Sequence, residues 1–102
     1  MINKDVLKAA TEFANYLSTF EFVDEVLLVG SHVTGNVHSK SDIDICILCD
    51  GFDYTAHNEE WTIKKREYNS EIQIIPVTKE LEVNMNYYYE NKQSSVLLYK
   101  RK

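Results

Sequence analysis

Asp42 and Asp44 are separated by a single isoleucine at the head of an apolar run, Asp-Ile-Asp-Ile-Cys-Ile-Leu-Cys, residues 42 to 49. On a strand, alternate side chains share a face, so both carboxylates point one way while Ile43, Ile45 and Ile47 point the other. Carboxylates held close repel and raise each other's pKa unless a cation lies between them. Mg2+ meets that need, because it takes hard oxygen ligands, retains waters and bridges a few protein carboxylates to substrate phosphates. The segment upstream suits the phosphate half of such a site. Gly30 and Ser31 close an apolar run. Glycine lets the main chain approach an anion, serine adds a hydroxyl, and a helical turn beginning near Ser31 would add free amides. Taken alone, Gly-Ser reads first as an ordinary turn. It is not a Walker loop, since no Gly-Lys-Ser/Thr follows.

Two-metal phosphoryl or nucleotidyl transfer asks for a third carboxylate on a neighbouring element, as base or second metal ligand. Glu71 is the best candidate: it opens the run Glu-Ile-Gln-Ile-Ile-Pro-Val and shares a face with Gln73, while Ile72 and Ile74 turn away. Adjacent strands lie about 4.8 Å apart, so an acid there could reach the same ion. A solvated strand-end acid is the plain alternative. Asp50, Asp53, Glu59 and Glu60 are rivals that no strand face selects.

These residues need elements to hold them. Asn3 can cap a helix over about 4 to 20, where Val6, Leu7, Ala10, Phe13, Ala14, Leu17 and Phe20 recur at helical spacing. Residues 25–30 read as a buried strand, 42–49 as a second, and 71–77 as a third whose only proline belongs at an end or edge. Residues 50–58 read as a turn-rich connection containing the third glycine. Residues 59–68 fit a short helix or the start of a strand. A helix is expected in the later part of 78–92, with Tyr87, Tyr88 and Tyr89 packing it onto the sheet, and 94–102 suits a short strand or hairpin arm with a basic tail. Alternating strands and helices predict an α/β (α+β) domain, a small mixed β-sheet packed against helices, spanning 1–102 as one unit.

Composition removes several classes of function. A net charge of −5 argues against coating nucleic acid, which takes a surplus of Lys and Arg. The longest apolar stretch is far short of a membrane span, and the N-terminus carries polar residues where a signal peptide needs an apolar core, so a cytoplasmic protein is expected. Cys46 and Cys49 resemble a CxxC pair, but on a strand an odd separation sends their sulfurs to opposite faces, which favours two small buried hydrophobes. His38 and His57 read as ordinary surface histidines.

Gly30-Ser31, Gly35 and Ser41-Asp42-Ile43-Asp44 follow the pattern G-S-x-x-x-G-x-x-x-x-x-S-D-x-D, both intervening lengths included. In this the chain resembles the DNA polymerase β-like nucleotidyltransferase superfamily, most of all its minimal nucleotidyltransferase (MNT) branch, often the antitoxin partner of a HEPN protein. Glu-Ile-Gln-Ile-Ile-Pro is similar to the superfamily's third-acid strand, and Val-Leu-Leu-Tyr near the C-terminus to its closing segment, so the likeness spans about residues 25 to 99. The resemblance implies a polymerase β-like fold. It implies that Gly30 and Ser31, with Gly35 and Ser41 in the same motif, hold a nucleoside triphosphate such as ATP. By the same likeness Asp42 and Asp44 bind two Mg2+ ions, and Glu71 matches the third acid that helps activate an acceptor hydroxyl. Two departures stand out. Members commonly carry a basic residue just after Gly-Ser, where this chain has His32-Val33-Thr34; the triphosphate would then be bound more weakly, or would borrow Lys40 or the Lys64-Lys65-Arg66 cluster. The third acid is Glu where Asp is usual.

The leading expectation is transfer of AMP from ATP to a hydroxyl on a protein or small molecule, with a HEPN-type partner or self-association completing the cleft. The alternative is an antitoxin-type binding module that neutralises its partner by surface occupation, using exposed aromatics among Tyr87 to Tyr89, Trp61 and Tyr99, although core packing accounts for these at least as well. An antibiotic acceptor is disfavoured, because such enzymes generally carry a further domain.

Overall fold

The computed structural model describes residues 2–38 and 41–102. Its elements run α1 (Lys4–Leu17), β1 (Val23–Val29), α2 (Ser31–Thr34), β2 (Ile43–Cys49), α3 (Gly51–Tyr68), β3 (Ile72–Val77), α4 (Glu82–Asn91), a 3-10 turn (Lys92–Ser94) and β4 (Val96–Lys100). The four strands form one mixed sheet in the order β3-β2-β1-β4. β2 pairs antiparallel with β1, with Val29 opposite Asp44, and parallel with β3, with Asp44 opposite Gln73. A parallel pair needs a crossover rather than a hairpin, and α3 supplies it. β4 pairs antiparallel with β1, so the C-terminal segment is an edge strand and not the arm of a local hairpin.

The two faces of the sheet are covered unequally. Phe13, Ala14 and Leu17 of α1 and Trp61 of α3 pack on Val26, Leu28, Ile43, Ile45, Ile47 and Ile72, which makes the main core. Burying each such aliphatic side chain contributes roughly 1.5–3 kcal/mol. On the opposite face, among the described residues, the short α4 packs with Tyr88 against Leu27, Val29, Cys46 and Val77. Period-two alternation along β2 thus puts its isoleucines into the main core and leaves Asp44 on the thinly covered face. The cysteines divide in the same way, Cys49 in one cluster and Cys46 in the other. Burial pushes both thiols up to about 12, so neither is a nucleophile at neutral pH.

α1 starts as its sequence predicts: the Asn3 side chain accepts from the amides of Asp5 (2.8 Å) and Val6 (3.2 Å). Two expectations fail. Residues 50–58 are not a turn-rich connection but the first half of an 18-residue helix. Asp50 caps it by accepting from the amides of Phe52 (2.9 Å) and Asp53 (3.1 Å), and Lys65 and Arg66 sit in its last turn, where they oppose the helix dipole. Its apolar residues follow no helical stripe, which is why periodicity does not reveal it. Trp61 is not an exposed aromatic: it is the one residue of α3 that is fully buried, among Phe20, Phe22 and Tyr54. Trp61→Ala is therefore expected to cost about 3–5 kcal/mol, read from urea denaturation; a loss below about 1 kcal/mol would show that the crossover helix is held by other contacts.

Candidate active site

Gly30 ends β1 with φ 84° and ψ −157°, a conformation essentially confined to glycine. The chain then makes the single turn α2, in which the amides of Val33 and Thr34 donate to Gly30 O (3.0 and 3.1 Å). The amides of Ser31 and His32, as the first of a helix, have no intrahelical acceptor. Gly35 ends the turn in the left-handed region (φ 90°), its amide donating to Ser31 O at 2.9 Å. The second glycine of the motif thus shapes the exit from the turn.

Asp44 leans over that turn. A Cβ added to Gly30 would collide with Asp44 Oδ2 and lie 3.3 Å from its Cγ. The lack of a side chain at residue 30 is what lets the carboxylate lie against the main chain. Asp42 is exposed at the rim, two residues along on the same face. Burial first, and Asp42 second, push Asp44 above the usual carboxylate range, while His32 draws it back. His32 Nε2 lies 3.5 Å from Ser41 O, which holds the ring near the acids. The residue standing where a fixed cation is commonly found is therefore at the site, as an imidazole.

The remaining expected residues separate. Ser41 is spent on the loop: its Oγ accepts from His38 N at 2.9 Å, and its amide donates to His38 O. Ile43 N donates to Glu71 O at 3.0 Å, so continuing the parallel register by one places Glu71 beside Asp42. Directly beside Asp44 stands the neutral amide Gln73. Among the described residues no three His, Cys, Asp or Glu side chains converge to hold a metal. The Asp42–Asp44 pair nevertheless suits Mg2+, which is held through one or two carboxylates plus waters and phosphate oxygens. The raised proton affinity of Asp44 comes from burial first and from its neighbour Asp42 second, both of which a bound cation would offset.

The basic cluster lies elsewhere. Lys64 pairs with Glu67 (3.0 Å) and lies over the rings of Tyr16 and Tyr68, and Lys65 Nζ donates to Ile72 O at 2.6 Å. Both belong to α3, which packs on the opposite face of the sheet, so this cluster does not serve phosphates beside Asp44. Lys40 lies outside the described residues. A residue that sequence reasoning passed over is Tyr87 of α4, whose phenol pKa is raised by burial first and by Asp44 next. Only its place in a tyrosine run drew notice, and that run pointed to packing.

Fold and site together define an α/β domain of the nucleotidyl-transfer class. Residues 10–100 match the family model described as nucleotidyltransferase domain, and the chain belongs to that family. No curated protein is similar enough to the chain to count as a match. Among solved structures, a candidate nucleotidyltransferase from Sulfolobus solfataricus superposes with a TM-score of 0.56 at 22% identity, over 97% of this chain and 90% of that one. A chain of a toxin–antitoxin solved with AMP-PNP gives a TM-score of 0.65 at 20% identity, over 92% and 74%. These likenesses establish the shared fold.

Two outcomes follow from the geometry. Gly30→Ala is expected to cost about 1–3 kcal/mol in chemical denaturation. Gly35→Ala should cost less, because its added methyl group meets nothing within 4 Å; equal costs would mean that Asp44 does not lie against residue 30. For Asp44 the folded pKa lies above the unfolded one, so the stability it contributes is present at low pH and is lost as pH rises through the carboxylate range. Asp44→Asn should then melt slightly higher than the parent at pH 7, with the gain shrinking towards pH 3. A variant less stable at pH 7 would mean that the carboxylate has a favourable partner.

Proposed function

We propose that residues 1–102 act as one Mg2+-dependent nucleotidyltransferase domain that moves AMP from ATP to a hydroxyl of a protein or small molecule. The observation that carries this reading is the Asp44 carboxylate lying against Gly30, which puts an acid that makes no ion pair among the described residues beside amides free to meet phosphate. In this reading Asp42 and Asp44 hold Mg2+, and the turn at Gly30 and Ser31 takes the triphosphate. Mg2+, when bound, neutralises the phosphate oxygens and aligns the leaving group. The acceptor oxygen attacks the α-phosphorus in line, the bond to the bridging α–β oxygen breaks, and pyrophosphate departs with the electron pair. Glu71, exposed beside Asp42, takes the proton of the acceptor.

The toxin–antitoxin neighbour, solved with AMP-PNP, supports an adenine nucleotide and a protein partner, which we take to be of the HEPN type. Among the described residues no helix is long and apolar enough to cross a membrane, in keeping with a cytoplasmic role. A second reading, a binding module that neutralises its partner by occupying its surface, draws on the same neighbour and on Phe52 and Val83, which are 84% and 81% exposed. The two part in one experiment. The chain is incubated with ATP labelled at the α-phosphate and Mg2+, with and without the protein encoded beside it. Label transfer that falls by on the order of 100-fold or more in Asp44→Asn supports the enzyme. Tight association of the two proteins with no transfer supports the binding module.

A further inference from the structure

Consecutive helical residues point about 100° apart, so Tyr87, Tyr88 and Tyr89 of α4 leave the helix in three directions. Tyr88 turns into the sheet, where its hydroxyl donates to buried Glu25 (3.1 Å), and Tyr89 is 66% exposed. Tyr87 takes the third direction. Its half-buried ring packs against the cluster that includes Val29 and Cys46. Val29 is the residue before Gly30 and the register partner of Asp44, and Cys46 is the next residue on the Asp44 face of β2. The ring therefore stands at the inner edge of the open face on which Asp44 lies.

Packing alone does not call for its hydroxyl. Tyr16, Tyr54 and Tyr88 donate theirs to Glu60, Asn58 and Glu25. The Tyr87 hydroxyl donates to none of the described residues. An ordinary phenol keeps its proton at neutral pH, so this hydroxyl has a hydrogen to donate. A donor on the sheet face that carries Asp44, taken up by none of the described residues, is placed for an acceptor brought in by a ligand.

We propose that Tyr87 is a substrate-contacting residue of this site, its hydroxyl donating to an oxygen of the nucleotide seated beside Asp44. The inference rests on the nucleotide site described under Proposed function. The oxygen belongs to the phosphate chain or to the ribose, both of which are acceptors within reach of a group flanking the metal-binding acids.

The test uses the full chain and isothermal titration with Mg-ATP and with Mg-triphosphate, on the parent, Tyr87→Phe and Tyr89→Phe. Tyr87→Phe keeps the packed ring and removes only the hydroxyl, so its melting temperature should match that of the parent. Its affinity for Mg-ATP should fall by about tenfold or more, as for loss of a hydrogen bond to a charged acceptor, with Tyr89→Phe unchanged. A matching fall for Mg-triphosphate assigns the contact to phosphate, and a fall for Mg-ATP alone assigns it to the ribose. In the transfer assay the loss should lie in KM for ATP more than in kcat. If the parent binds Mg-ATP and Tyr87→Phe binds it equally well, Tyr87 is a packing residue and the inference is overturned while the site stands. If the parent binds neither ligand, the nucleotide site itself is overturned.

Discussion

The contact between the Asp44 carboxylate and the Cα of Gly30 is the constraint on which the rest of the site depends. It joins an acid in the second strand to the end of the first, and it exists because residue 30 has no side chain and adopts a backbone conformation closed to others. Register holds the two in place, since antiparallel pairing sets Val29 opposite Asp44. A slip of one residue in β2 would bury both aspartates under α1 and α3 and expose three isoleucines, so the hydrophobic core enforces the geometry of the charged face.

That coupling explains the uneven dressing of the sheet. The large core against α1 and α3 supplies most of the apolar burial, which frees the other face to carry groups that are costly to bury. On that face α4 covers only part of the strands, and its edge brings Tyr87 close to Asp44. The basic residues of α3 are on the far side, and among the described residues it is the imidazole of His32 that stands near the acids. Around the acids the described residues offer main-chain amides and an imidazole rather than lysine or arginine side chains.

Much of the architecture was legible before any coordinates. The alternation of Ile43, Ile45 and Ile47 with Asp42, Asp44 and Cys46 gave the strand and its faces, and Asn3 gave the start of α1. The first half of α3 was not legible, because Gly51, Asp53 and Thr55 imitate a loop and no apolar stripe runs along the helix; its cap at Asp50 and its contacts through Trp61 hold it instead. The C-terminal segment read as a strand, but a local pattern carries no information on which distant strand it joins.

The residues alone determined that two carboxylates share a face just after a glycine-serine turn, because side-chain period and glycine's backbone freedom are local properties of the chain. Tertiary structure decided which groups surround them. Parallel pairing set Gln73 rather than Glu71 beside Asp44, the crossover carried Lys64 and Lys65 to the opposite face, and α4 brought Tyr87 to the near one. These are contacts between segments distant in sequence, and they follow from how apolar faces are buried against one another, which no short stretch of sequence encodes.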